Sequence, residues 1–413
     1  MKVVYARCCG LDVHAKTIVA CRVLNGKKTI RTFSTMTDSI LELADWLTAG
    51  RCTHVAMEST GVYWKPIFTI LEGLFEIVLV NPRHYKTVPG RKTDVKDSEW
   101  LADLLRHGLL KASFIPPVAI RDLRELTRHR STMVRERSAV ANRVQKLAES
   151  GNVKLSQVLS DTLGVSGRRM LRALADGQTE PDRIVRLADR QLAAKQDELR
   201  RAVAGRLTSA QRFVLGQLLD EYDRLDAAIA RVTERIDQEV TQADQDPFMG
   251  EAIGVLQTIP GVGPRAAEVI VSEIGTDMSR FPSAAHLASW AGMCPGNNES
   301  GGKRRSGKTR KGNRALRAAL VQCAWAASRA RATGVANRFR RLAARRGGKR
   351  AAVAIGHDLL VAVYYMLSRR ESYQEVGGAV YDEQSMQKLR QHLIRRLEAT
   401  GLTVTIEPIP DAA

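Results

Sequence analysis

The residues able to do chemistry in this sequence are a set of acids near its start and a serine near its end. In DVKDSEWLADLLRHG, Asp94 to Gly108, the leucines at 101, 104 and 105 recur at helical spacing, so the segment predicts an amphipathic helix. Asp94 and Asp97 stand three residues apart in its first turn and share one face. Acids there also complement the helix dipole, and capping alone would account for them. Asp12 in CCGLDVHAK and Glu58 in THVAMESTG each close a β-rich run, where a lone carboxylate is most often a turn residue. The combination points further. In a sheet ordered around its first strand the two strand tips lie side by side, and the helix of Asp94 and Asp97 can return to the same edge. Carboxylates gathered there repel one another unless cations neutralise them. Magnesium or manganese suits such oxygen donors. Two such ions a few ångströms apart are the usual arrangement for in-line attack on a phosphodiester.

The serine is Ser300, in CPGNNESGGKRRSG. Asn, Ser and Gly crowd ordinary turns, so an isolated serine there is normally a turn serine. Here Gly301 and Gly302 follow it and leave room for a phosphate, and the next residues are cationic and can stabilise charge building on phosphoryl oxygens. A serine hydroxyl is a weak nucleophile and needs help to lose its proton. Glu299 is the acid adjoining it. Ser306, also followed by glycine, is the rival.

Charge gives the context. The chain has 413 residues and a net charge of +20. Between Glu299 and Asp358 there is no acidic residue, yet the stretch holds 17 Lys and Arg. Solvated faces normally mix signs, so an all-positive stretch of this length implies a polyanion, most commonly nucleic acid. Lys303, Arg304, Arg305, Lys308, Arg310, Lys311, Arg314 and Arg317 are the expected phosphate contacts. No run of 18 apolar residues suggests a membrane span, and the N-terminus has no signal-peptide pattern, so a cytoplasmic protein is expected. The six cysteines form no CxxC pair, which favours reduced, small-hydrophobe thiols over disulfides or zinc.

The elements that must position these residues divide the chain. Residues 1–117 read as α/β: three β-rich runs, then alternating helices and strands, predicting a mixed sheet with helices on its faces. Pro116-Pro117 breaks the pattern. Residues 118–246 are helical. Leu126, Met133, Val140 and Leu147 recur every seven residues, and Leu215, Leu218, Tyr222, Leu225, Ile229, Val232 and Ile236 alternate steps of three and four. That predicts an antiparallel or intermolecular coiled coil, with a helical bundle as the plain alternative, and the coiled coil favours dimerisation. Residues 247–370 open with LQTIPGVGPRAAEVIVSEIG, a helix-hairpin-helix pattern whose glycines let backbone approach a phosphate. An ordinary αα-hairpin would fit the same residues. Residues 371–413 form a tail with a helix and a short strand.

The order Asp, Glu, Asp-x-x-Asp on this element pattern resembles the RuvC-like branch of the ribonuclease H fold. GLDVHAK, AMESTGVYW, KTDVKDSEWLADLLRHG, LQTIPGVGP and ASWAGMCPGNNESGGKRRSGKTRKGNRALRAAL together resemble the insertion-sequence 110 (DEDD) transposases. Ser98 departs from the alanine expected there, with no chemical consequence. The resemblance implies a site-specific DNA recombinase of a mobile element. It implies that the carboxylates Asp12, Glu58, Asp94 and Asp97 bind Mg2+ or Mn2+, and that Ser300 joins them in a composite site between protomers of a dimer or tetramer. It also implies a guide RNA from the element, pairing with donor and target DNA; the residues themselves are compatible with DNA, RNA or both. A hydrolytic junction resolvase is the alternative, and a noncatalytic nucleic-acid scaffold is a third reading that the carboxylates argue against.

Overall fold

The computed structural model describes residues 2–59, 61–81, 97–242, 246–296, 309, 311–330, 333–374, 391, 394–399 and 401, and the backbone of 298–300 and 303–306. The chain forms two compact units, Met1–Ile115 and Pro116–Ala413, which divide where Pro116-Pro117 begins.

The first unit is a five-stranded mixed sheet in the order β3-β2-β1-β4-β5. Its strands are β1 (Arg7–Val13), β2 (Thr17–Leu24), β3 (Lys27–Ser34), β4 (His54–Glu58) and β5 (Glu76–Val80). β1, β2 and β3 form an antiparallel meander, whereas β4 and β5 run parallel to β1. Strand alternation splits the central strand between two faces. Cys9 and Leu11 pack with the helices α1 (Thr37–Ala49) and α2 (Trp64–Leu71), while Cys8 packs with α3 (Asp97–Arg106) through Ala102 and Leu105. Burial on both faces is why CCGLDV reads as nearly continuous apolar sequence.

The second unit is mostly helical. Two 33-residue helices, α4 (Val118–Ser150) and α9 (Ser209–Thr241), pack along each other. Their cross-pairs, Arg130 with Thr233, Arg137 with Asp226, and Ser150 with Gln211, run in opposite directions, so the pair is antiparallel within one chain. The predicted seam is therefore filled by the chain itself, and it supplies no argument for dimerisation. Between the two lie the short helices α5 (Leu155–Val158), α6 (Val165–Ala175), α7 (Pro181–Val185) and α8 (Gln196–Val203), which share one core with Val140, Val144, Leu215 and Leu225.

The remainder comprises α10 (Met249–Leu256), α11 (Pro264–Ile274), α12 (Ala284–Trp290), the hairpin β6 (Asn298–Ser300) and β7 (Lys303–Ser306), α13 (Arg314–Ala327), α14 (Gly334–Arg346) and α15 (Gly348–Arg369). α15 is the helix, among the described residues, long and apolar enough to cross a membrane. Its Ile355, Leu359, Leu360 and Val363 are buried, and it packs on α12, α13 and α14 as the core helix of this region. The expected terminal strand lies outside the described residues.

Candidate active site and nucleic-acid interface

The acids come together through strand register. β1 and β4 pair in parallel with Leu11 opposite Met57, so the next position on each strand is Asp12 and Glu58. Both carboxylates thus lie at the carboxyl ends of neighbouring strands, Glu58 as the last residue of β4 and Asp12 as the last but one of β1, and both are half-buried. By alternation they lie on the face of Gly10 and Ala56, the face that α3 covers. α3 begins at Asp97, also half-buried. Gly10 explains how close α3 comes: a Cβ at Gly10 would run into the Ser98 carbonyl oxygen and stand 2.5 Å from the Ala102 nitrogen. The missing side chain therefore lets the first turn of α3, with Asp97, approach β1 two residues before Asp12.

Asp94 lies outside the described residues. Among those described, no three of His, Cys, Asp and Glu are assembled closely enough to hold a metal ion. The donor chemistry, carboxylate oxygens only, is of the kind magnesium or manganese takes, and it would not favour zinc or copper. One neighbour is not singled out by the sequence: His14 Nε2 donates to Asp12 Oδ2 at 3.1 Å, with the ring exposed. Its only signal there is its place two residues after Asp12 in GLDVHAK.

The second unit carries the serine. β6 and β7 pair antiparallel with Ser300 opposite Lys303 and Glu299 opposite Arg304. Ser300 is thus the last residue of β6 and Lys303, its partner in register, the first of β7. Ser306 pairs with Asn298 at the other end, beside an irregularity in register. Arg305 also lies on β7, whereas Lys308 and Arg310 fall outside the described residues. Lys311 and Arg314 are exposed. Arg317 is turned inward instead: it donates to Thr309 Oγ1 at 2.6 Å and to the Gly292 carbonyl at 3.5 Å. Further along the acid-free stretch, Arg340, Arg345, Arg346, Lys349 and Arg350 are exposed on α14 and the start of α15, and Arg338 is paired with Asp358. The sequence puts them in the basic segment but does not single them out as phosphate contacts.

The Pro-Gly-Val-Gly-Pro turn divides its glycines. Gly261 has φ +87° and faces backbone of α13, where a Cβ would meet the Ala327 nitrogen at 2.5 Å and the Cys323 oxygen at 2.6 Å. That glycine serves internal packing. Gly263, directly before α11, faces open space.

α11 ends in a buried charge cluster. Glu273 is fully buried, and Arg128 Nε and Nη2 donate to its two carboxylate oxygens at 2.7 and 2.8 Å. Asn313 Nδ2 donates to Oε2 at 2.6 Å. Arg124 Nε stands 3.4 Å from Oε2, and Arg124 donates to the Ser272 and Glu273 carbonyls. The hydrogen bonds to Glu273 hold the Arg128 guanidinium above its usual range, while burial pulls Arg124 down.

Known proteins match the same parts of the chain. Residues 9–151 match a DEDD transposase family of the IS110 type, and residues 254–340 match the family described as Transposase IS116/IS110/IS902. Between them the two matches cover more than half of the chain. A probable family 20 transposase of Pseudomonas aeruginosa is 27% identical over 329 residues, 78% of this chain and 85% of the relative. The transposase for insertion sequence element IS1111A of Coxiella burnetii is 25% identical over 72% of each. An insertion element IS110 protein of 43.6 kDa from Streptomyces coelicolor is 29% identical over 58% of this chain and 61% of its own.

Proposed function

The chain belongs to the IS110 family of insertion-sequence transposases, and from that premise we propose that it is a site-specific DNA recombinase that cuts and rejoins DNA through Ser300. The observation that carries this reading is the carboxylate edge. Asp12 and Glu58 lie at the carboxyl ends of adjacent parallel strands, on the face where α3 delivers Asp97. The strand order 3-2-1-4-5, an antiparallel meander followed by two parallel strands, supports a RuvC-like, ribonuclease H-like unit.

Asp12, Glu58, Asp94 and Asp97 would hold Mg2+ or Mn2+, which when bound supplies positive charge against the phosphoryl oxygens. Ser300 Oγ attacks the phosphorus of the scissile phosphodiester. The Oγ–P bond forms as Oγ gives up its proton, the bond to the leaving deoxyribose oxygen breaks, and that oxygen departs as a hydroxyl after taking up one proton, so no net proton is gained or lost. Attack by a strand-end hydroxyl on the phosphoserine reverses the step, so rejoining needs no ATP. Lys303, opposite Ser300 in register, and the cations after it orient the backbone and offset its charge. The partners in this reading are donor and target DNA, a guide RNA of the element and further copies of the chain, acting in the cytoplasm at the nucleoid.

A hydrolytic resolvase would use the same carboxylate edge without the serine, and covalent chemistry separates the two. A suicide substrate nicked beside the cleavage site should trap protein on DNA, with the adduct mapped by mass spectrometry. We expect it at Ser300, lost in Ser300→Ala and in Asp97→Asn, both of which should remain folded. DNA attached to Ser306, or active enzyme with no adduct, would sink the serine assignment. An Asp12→Asn or Asp97→Asn protein that recombines at the wild-type rate would sink the carboxylate one.

A further inference from the structure

Glu273 is an acid with no role in the chemistry above, yet it is fully buried and its surroundings lead to the serine hairpin. The chain leaves the core for the hairpin near Pro295 and returns at Thr309, where the two residues form an antiparallel bridge. Arg317 holds the Thr309 hydroxyl from below. Gly312 then passes so close to the backbone of Ala291 and Gly292 that a Cβ would collide with both. Asn313 follows. Its Oδ1 accepts from the Ala315 and Leu316 nitrogens as the N-cap of α13, which leaves Nδ2 to donate, and the acceptor is Glu273. The other carboxylate bonds of Glu273 come from Arg128 on α4.

We propose that Glu273 is a positioning residue: by binding Asn313 and Arg128 at once, its carboxylate fixes the returning end of the β6–β7 hairpin to the long helix α4 and so sets where Ser300 is presented. Three independent elements meet on one side chain: α4, α11 and the cap of α13. A carboxylate is the group that can accept from all these donors together, because each of its oxygens has two acceptor sites and it offers no donor. An amide in its place turns one end into a donor facing Arg128 or Asn313. A bidentate arginine fork also fixes direction, which a point charge would not. The inference rests on the reading of Ser300 as nucleophile for its effect on chemistry, but not for its effect on the hairpin.

The test uses the full chain carrying Glu273→Gln, Asn313→Asp, or both. The single changes set donor against donor or acceptor against acceptor. The double variant restores the pair between the two positions: the amide now at position 273 donates to the carboxylate now at position 313, and its oxygen still accepts from Arg128 Nε. One bond of the Arg128 fork is given up, so recovery is partial, and the cluster keeps its total charge. Amide hydrogen exchange is followed in peptides covering 290–297 and 309–317, the two ends of the hairpin, and in peptides from α9 as reference. Each single variant should speed exchange at the hairpin ends by about tenfold or more while α9 is unchanged, and the double variant should return it toward wild type. Adduct formation on the suicide substrate at saturating DNA should slow in the singles by about tenfold or more, with DNA affinity unchanged, and recover in part in the double. Exchange that is unaltered, or that rises equally in α9, or a double variant no better than the worse single, overturns the proposal. If wild type forms no adduct at all, the serine reading falls, and the exchange data still decide for or against Glu273.

Discussion

Gly10 shows how one residue decides where a carboxylate ends up. Any side chain there must push the first turn of α3 away from β1, because the obstacles are backbone atoms of Ser98 and Ala102 rather than flexible side-chain tips. Gly10→Ala is therefore expected to cost stability of about 1–3 kcal/mol, the usual range for overpacking a core. It should also lose adduct formation, since Asp97 rides on the displaced turn. Gly216 is the opposite case: it lies inside α9 and a Cβ there meets nothing. Gly216→Ala should stabilise by about 0.5–1 kcal/mol through helix propensity. Urea unfolding of both variants checks the two signs, and a Gly10→Ala protein as stable as wild type would contradict the packing argument. Thiol chemistry is also set residue by residue. Burial pushes the Cys8 thiol up to about 12 and those of Cys52 and Cys323 to about 11, with Cys9 well raised too. Since the thiolate is the reactive form, native protein at neutral pH should be alkylated first at half-buried Cys294. Mass spectrometry after brief iodoacetamide treatment tests this, and early labelling of Cys8 or Cys52 would refute it.

At the scale of elements, much was readable because the governing interactions are local. The β-rich runs, the break at Pro116-Pro117 and the leucine spacing of α3 each involve residues a few positions apart. The paired helices were legible in period and, along most of their length, in phase: Met133, Val140, Leu215, Leu225, Ile229 and Ile236 are buried as the spacing predicts, and the phase slips only toward the two ends of α4. Leu126 and Leu147, expected in the seam, are half-buried, whereas Leu123, Thr127, Val144 and Ala148 are buried. The reason is that α4 buries more than a coiled-coil seam: α11 packs against it near its start and the short helices α5 to α8 near its end. A wider apolar face shifts which heptad positions lie deepest. Glu273 was illegible for a different reason, since its partners Arg128 and Asn313 lie 145 and 40 residues away in sequence. The carboxylate edge was readable as residue types, but its neighbour Gly10 acquires meaning only once α3 is seen against β1. The basic segment gives the prediction at this scale. Lys311 and Arg314 are exposed, whereas Arg317 is engaged with Thr309. Replacing Lys311 and Arg314 by Gln should lower the slope of log affinity against log salt by about 0.9 for each duplex phosphate that is no longer neutralised. Arg317→Gln should leave that slope unchanged while slowing adduct formation. Equal slopes for wild type and both variant proteins would remove Lys311 and Arg314 from the interface.

At the scale of the whole molecule, the carboxylates and the serine belong to different compact units of the chain. A reaction needing both must unite them either within one protomer or across two, and the filled seam of α4 and α9 leaves the choice to the active site itself. The composite-site reading makes the union occur in trans: the carboxylates of one protomer serve Ser300 of its partner. That has a consequence which single variants cannot reveal. Asp97→Asn and Ser300→Ala are each expected to be inactive as pure proteins. In a mixed dimer of the two, one site combines both defects, and the other combines intact carboxylates with an intact serine. With free exchange and equal amounts, half the dimers are mixed, so about a quarter of wild-type activity should return by symmetry. In a cis arrangement each protomer of the mixed dimer keeps its own defect, and nothing returns. Recombination is measured after co-expression of the two variants, and after mixing them as purified proteins. The adduct is mapped by giving one variant a mass tag. Restored activity with DNA on the Asp97→Asn protomer, the one that retains Ser300, supports the trans assembly. Co-expressed variants that copurify yet stay inactive would place the carboxylates and the serine of one site in the same chain.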